Sequence, residues 1–141
     1  MSSGIITTRF AAPADHDFVR QDQHLPHEIV SRKIERREVI VAELDGSPAG
    51  YLRLEYLWSK IPYVELIRVI PGRRGRGVGT ALLKFAEEFL RAQGHTALYS
   101  SSQVNEAEPQ AWHRRAGFAE CGIIAGINEG GIGEVFFRKQ L

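Results

Sequence analysis

Apolar and polar residues along this chain switch between a period of two and a period near 3.6, and the switches divide it into elements. Ile5–Phe10 reads as a short strand. Pro13 then opens a polar stretch that predicts a helix to about Gln21, and a second helix is expected from near Pro26, because proline suits the first helical turn. Ile29, Val30 and Ile34 give this second helix a narrow apolar stripe, while Arg32, Lys33, Arg36 and Arg37 point elsewhere, as on a solvated face. Glu38–Leu44 and Ala49–Leu57 are β-rich runs separated by Asp45-Gly46-Ser47-Pro48, and Asp-Gly between apolar runs signals a hairpin. Pro62 is expected to break the chain before a strand over Tyr63–Ile70, which Pro71 and Gly72 end.

The clearest helix covers Val78 to Gln93. Val78, Ala81, Leu82, Phe85, Ala86, Phe89 and Leu90 keep helical spacing, Lys84, Glu87, Glu88 and Arg91 occupy the other face, and Gly94 supplies the stop. A strand over His95–Ser100 follows, then a short helix from Glu108 or Pro109 to Ala116 that Gly117 ends. Phe118–Ile127 and Gly133–Lys139 form a last hairpin around Asn128-Glu129-Gly130-Gly131. The order β-α-α-β-β-β-α-β-α-β-β, with hairpins at both ends and β-α-β crossings between, predicts an α/β fold on a mixed sheet instead of a doubly wound parallel one.

Composition narrows the function classes. The 141 residues suit a single domain over 1–141, and 43% hydrophobic with 25% charged residues is ordinary for a folded chain. With 18 Lys and Arg against 17 Asp and Glu, the net charge is +1, which argues against a nucleic-acid partner and leaves Arg73, Arg74 and Arg76 as the one dense basic cluster. A lone Cys121 allows no intramolecular disulfide and is expected to be a small buried hydrophobe. Met1-Ser2-Ser3-Gly4 lacks the basic stretch and apolar core of a signal peptide, and no apolar run is long enough to cross a bilayer, so a cytoplasmic location without a membrane partner is expected. His24 and His27 have i,i+3 spacing but no third ligand in sight, so no metal is expected.

The informative stretch is Val69-Ile70-Pro71-Gly72-Arg73-Arg74-Gly75-Arg76-Gly77-Val78-Gly79-Thr80, between a strand and the best helix. A helix start carries unpaired N–H groups and the positive end of the macrodipole, and glycines let a phosphate approach them. The Walker pattern needs Lys-Ser/Thr after its last glycine, where Val78 follows Gly77. The dinucleotide pattern G-x-G-x-x-G also fails, since its third glycine would fall at Thr80.

Arg74-Gly75-Arg76-Gly77-Val78-Gly79 instead resembles the coenzyme A motif Q/R-x-x-G-x-G/A of the GNAT superfamily of N-acetyltransferases. Leu66-x-x-Val69-x-Pro71 before it and Ala81-Leu82-Leu83 after it are similar to that superfamily's strand and helix. Ala111-Trp112-His113-Arg114-Arg115-Ala116-Gly117-Phe118 resembles its second signature. The resemblance runs along essentially the whole chain. It implies the GNAT acyl-CoA N-acyltransferase fold, with a central mixed sheet of about six to seven strands and about four helices. It further implies transfer of an acetyl group from acetyl-CoA, as co-substrate, to a primary amine by direct attack. Arg74, Gly75, Arg76, Gly77, Val78, Gly79 and Thr80 would then hold the pyrophosphate, and a backbone N–H from about Val69 would polarise the thioester carbonyl.

The attacking amine must be neutral, which asks for a general base. Glu65, in an apolar setting of Val64, Leu66 and Ile67, is the candidate for that role, burial being expected to raise its pKa; the other reading is a strand-edge carboxylate paired with Arg53 or Arg68. Many family members carry tyrosine where His113 stands, four residues before Gly117. His113 is the candidate acid for the leaving thiolate, or contacts coenzyme A, or caps its helix, or the thiolate needs no protein acid; Tyr99 is a reserve. Asn105 resembles the asparagine that binds the pantetheine arm, or else serves a turn or helix cap. The acceptor stays open among small amines, amino acids, antibiotics and protein N-termini. The family analogy also allows a homodimer through the sheet edge or the last strands. A rival class is a module of the same fold that binds or senses acyl-CoA with little catalysis.

Overall fold

The computed structural model describes residues 4–141; Met1, Ser2 and Ser3, on which the expectation of no signal peptide partly rests, lie outside the described residues. Seven strands, β1 (Ile6–Phe10), β2 (Val39–Leu44), β3 (Ser47–Leu57), β4 (Ile61–Val69), β5 (Ala97–Gln103), β6 (Ala119–Ile124) and β7 (Glu134–Gln140), form one mixed sheet in the order β1-β2-β3-β4-β5-β7-β6. Three α-helices, α1 (His27–Glu35), α2 (Val78–Ala92) and α3 (Ala107–Arg115), follow the order expected from the sequence except for its first helix. β4 and β5 pair in parallel at Tyr63 and Tyr99, whereas β1–β2, β2–β3, β5–β7 and β6–β7 are antiparallel. Asp45 and Gly46 both take positive φ, 53° and 84°, and join Leu44 to its partner Ser47, the conformation that a two-residue hairpin requires.

Two expectations are corrected. The helix read over Pro13–Gln21 is instead two single 3-10 turns, Pro13–Asp15 and Phe18–Arg20. Asp15 turns its carboxylate back onto the Ala12 N–H at 2.7 Å and onto Arg9 at 2.7 Å, and Val19 alone in these turns is buried, too little apolar surface to hold a longer helix. Pro62 does not break the chain but sits second in β4. Trp58 and Ser59, at φ 52° and 62°, reverse the chain earlier, and near a strand start the missing proline N–H is tolerated.

The chain divides into two compact units, one running up to Leu54 and including Leu66–Phe89, the other comprising Glu55–Glu65 and Leu90–Leu141. In the first, adjacent residues of β3 face opposite ways. Tyr51 joins Val39 and Val41 in a cluster with Val19 and with Val30 and Ile34 of α1. Gly50 meets α2: an added Cβ would lie 2.7 Å from the Arg68 carbonyl oxygen, 3.1 Å from Val78 and 3.3 Å from Leu82. Phe10 meets Phe85 and Phe89 edge-on, at 5.0 and 4.9 Å. Arg53, fully buried, holds Asp22 through two 2.6 Å bonds and donates to the Val19 carbonyl, and the Tyr51 hydroxyl adds a third bond to Asp22 at 2.6 Å.

In the second unit, Leu98, Ser100 and Ser102 of β5 are buried, and the residues between them face the other way. Phe137 of β7 pairs with Ser100 and shares its face, as Phe136 shares that of Ser101. β6 is the edge strand, exposed along its whole length. Cys121 lies there, exposed instead of buried, beside a register shift between Glu120 and Gly122. Among the described residues no helix is long and apolar enough to cross a membrane, and no three His, Cys, Asp or Glu side chains come together to hold a metal ion.

Candidate active site

The glycine-rich loop leaves β4 at Val69 and enters α2 at Val78. Gly72, Gly75 and Gly77 all have positive φ (88°, 75° and 87°), backbone that side-chain-bearing residues adopt only at a cost. The first helical bond runs from the Ala81 N–H to the Gly77 carbonyl, so the N–H groups of the residues just before Ala81 have no helical partner. Around Gly75 there is open space, with nothing that an added Cβ would meet within 4 Å. Arg74, Gly75, Arg76, Gly77 and Thr80 are exposed, Gly79 is half-buried, and Val78 is turned into the protein. Arg74 Nε donates to the Val69 carbonyl at 3.0 Å, tying the guanidinium across the loop. Positive side chains, a helix start and glycine backbone come together at one exposed place, an arrangement whose charge and open backbone suit an anion.

The second unit carries the other predicted residues. Glu65 is half-buried on β4, two residues beyond Tyr63. Asn105 is exposed in the turn between β5 and α3, one residue before the α3 N-cap Glu106. His113 is buried on α3. Its Nδ1 lies 2.7 Å from the Pro109 carbonyl oxygen, which can only accept, so Nδ1 carries the proton. Nε2 then accepts from the Ser100 hydroxyl at 2.7 Å, and the ring stacks on Phe137 at 4.6 Å and 3°. Burial pushes its pKa below the ordinary histidine value, against smaller opposing effects from the Pro109 bond and Glu134, so the imidazole is neutral at pH 7. Both His113 nitrogens are thus engaged inside the protein, Nδ1 with Pro109 and Nε2 with Ser100.

A polar chain that the sequence reading missed lies on the opposite face of β5 from His113. The Tyr63 hydroxyl is 2.6 Å from Ser101 Oγ, Ser101 donates to Glu134 Oε2 at 2.6 Å, and Asn128 donates to Glu134 Oε1 at 2.8 Å. The Tyr63 ring stacks on Phe136 at 5.8 Å. Burial pushes the Tyr63 phenol up, with the charges of Glu134 and Glu65 adding to the rise. The available cue was Ser100-Ser101-Ser102 in a strand between apolar neighbours, a polar run that needs partners.

Residues 8–118 match the model of the Acetyltransferase (GNAT) family. This chain belongs to the GNAT acetyltransferase family. It is 34% identical over 100 residues to streptothricin acetyltransferase of Streptomyces lavendulae, covering 70% of this chain but 52% of that one, so it spans about half that relative's length. To an aminoglycoside N(6')-acetyltransferase type 1 of Klebsiella aerogenes it is 30% identical over 106 residues, covering 69% of this chain and 70% of the other. A Bacillus anthracis chain solved in complex with acetyl coenzyme A superposes with a TM-score of 0.67 at 20% identity, over 73% of this chain and 61% of that one.

Proposed function

We propose that this protein transfers the acetyl group of acetyl-CoA to a primary amine of a small amine-bearing molecule, of which streptothricin and the aminoglycosides are the first to test. The observation that carries the reading is the exposed, positive-φ loop before α2, with Gly75 and Gly77 at its centre and Arg74 and Arg76 beside them. Its helix N–H groups and arginines hold the pyrophosphate, the N–H near Val69 meets the thioester carbonyl, and Asn105 contacts the pantetheine arm. The named acceptors of the two similar chains support the acceptor class. Acetyl-CoA-dependent thiol release should appear on adding streptothricin or an aminoglycoside; tight acetyl-CoA binding without turnover on any amine would favour the binding or sensing module instead.

The loop makes a prediction of its own. Gly77→Ala forces a methyl onto φ 87°, which strains the loop backbone where its N–H groups are presented. The KM for acetyl-CoA should rise about tenfold with kcat held within about twofold, as for lost uniform binding. An unchanged KM would remove the loop from donor binding.

In this reading Glu65 is the base, His113 positions α3 against β5, and coenzyme A leaves as the thiolate. A thiol with an intrinsic pKa of about 8.5 leaves without an acid. His113→Phe should keep kcat within about threefold while destabilising the fold by roughly 1–3 kcal/mol, because Ser100 loses its acceptor in a buried place. Paired turnover and urea-unfolding measurements check this; a kcat loss of a hundredfold with unchanged stability would return the acid role to His113.

A further inference from the structure

We propose that Tyr63, Ser101 and Glu134 form a proton exit that takes the second proton of the acceptor nitrogen, an inference that rests on the acetyl-transfer reading above. The direction of the hydrogen bonds carries it. An ionised carboxylate only accepts, and Ser101 has one hydroxyl proton, which goes to Glu134 at 2.6 Å. The 2.6 Å bond between Tyr63 and Ser101 must therefore have Tyr63 as donor. The Tyr63 oxygen keeps an accepting lone pair, available to an N–H donor. Asn128, donating to the other Glu134 oxygen at 2.8 Å, fixes the carboxylate at the far end, and Phe136 fixes the Tyr63 ring by stacking. Glu65 lies two residues along β4 from Tyr63 and is close enough for its charge to act on the phenol.

Proton balance calls for two outlets. An ammonium acceptor begins with three N–H bonds and the amide product has one. R–NH3+ and acetyl–S–CoA give R–NH–acetyl, CoA–S− and two protons: the C–N bond forms, the C–S bond breaks, and sulfur keeps the electron pair. One carboxylate, Glu65, takes the proton that frees the lone pair before attack. As the C–N bond forms, the second proton passes to Tyr63, the Tyr63 proton moves to Ser101, and the Ser101 proton moves to Glu134. Glu134 then loses it to solvent and the chain resets. Tyr63 touches the reacting nitrogen; Ser101 and Glu134 act through it and are positioning residues.

The test is turnover with acetyl-CoA and streptothricin or an aminoglycoside, in mixtures of light and heavy water. Ser101→Ala should lower kcat about tenfold with both KM values unchanged. The wild-type plot of rate against deuterium fraction should be curved, as for several protons in flight, and that of Ser101→Ala straight. Ser101→Thr, which keeps the hydroxyl, should restore both rate and curvature. Tyrosinate absorbance gives an independent check: the titration that Tyr63→Phe removes should move to lower pH in Glu134→Gln. Wild-type turnover with Ser101→Ala at full speed, or a Tyr63 titration indifferent to Glu134→Gln, overturns the exit alone. Wild-type protein that releases no thiol with any amine overturns the acetyl-transfer reading and the exit with it.

Discussion

Glu65→Gln is expected to lose about a hundredfold in kcat/KM at pH 7, and the loss is expected to shrink as pH rises. A glutamine has nearly the same shape but takes no proton, so the variant must wait for an acceptor that arrives already neutral. An alkylamine with a pKa of about 10.4 is neutral in roughly one molecule in a few thousand at pH 7, and that fraction grows about tenfold per pH unit. The variant should therefore gain on the wild type at each step up to the amine's own pKa. A base of this kind contributes about 10²–10⁴-fold, which sets the expected size. The pH profile with one good acceptor decides the matter: a fractional loss that is the same at every pH would give Glu65 a binding or structural role.

The second large effect is on stability. Asp22→Ala should cost about 3–5 kcal/mol, because it removes both Asp22 bonds from Arg53, a fully buried cation, and the acceptor from a buried tyrosine hydroxyl. Burial pushes the Asp22 carboxyl up, but bonds from Arg53 and Tyr51, together with the Arg53 charge, outweigh it and hold the group well below the usual carboxylate range. Tyr51 is pushed up to about 12, by burial first and by Asp22 next. The sign for pH follows. A carboxyl whose folded pKa is depressed stabilises the fold in full above its unfolded value near ~3.9 and loses that contribution as pH falls towards the folded value. Urea unfolding of wild type and Asp22→Asn should therefore differ by a constant amount above about pH 5 and converge in stronger acid. A double variant, Asp22→Leu with Arg53→Met, should recover part of the loss, since it removes both charges of this pair together. If Asp22→Ala unfolds at the wild-type urea concentration, the pair contributes nothing.

These two effects mark what could be read in advance. The α2 stripe, the Asp45-Gly46 reversal and the Gly75–Gly79 loop are set by neighbours in sequence, through helical spacing, turn conformation and a helix start. Each was legible because its physics is local. Asp22 and Arg53 are 31 residues apart, and Tyr63 and Ser101 are 38 apart; only sheet register and loop path bring them together. A charge at position 53 amid Tyr51, Leu52 and Leu54 announced that a partner was needed, and the sequence pointed to Glu65, near in the chain, without showing Asp22. His113 shows the reverse. Its place before Gly117 invited a chemical role, but the face of α3 that carries it is the inner one, where Ser100, Pro109 and Phe137 claim the ring. Pro13–Gln21 failed because a polar run has helical spacing by default and too few apolar side chains to be held by packing.

Gly50 has a bearing on the glycine-rich loop although it lies outside it. The α2 backbone stands as low over the sheet as it does because residue 50 has no side chain, and Val78 and Leu82 occupy the clearance. Any larger residue there would press first on the Arg68 carbonyl of β4 and next on Val78 and Leu82, displacing the first turn of α2 and the N–H groups around Gly77 and Gly79. The altitude of that first turn is thus decided from underneath, in another strand. Under the proposed function, a footprint of bound donor would leave position 50 blank, whereas a selection for weakened donor affinity would return to it.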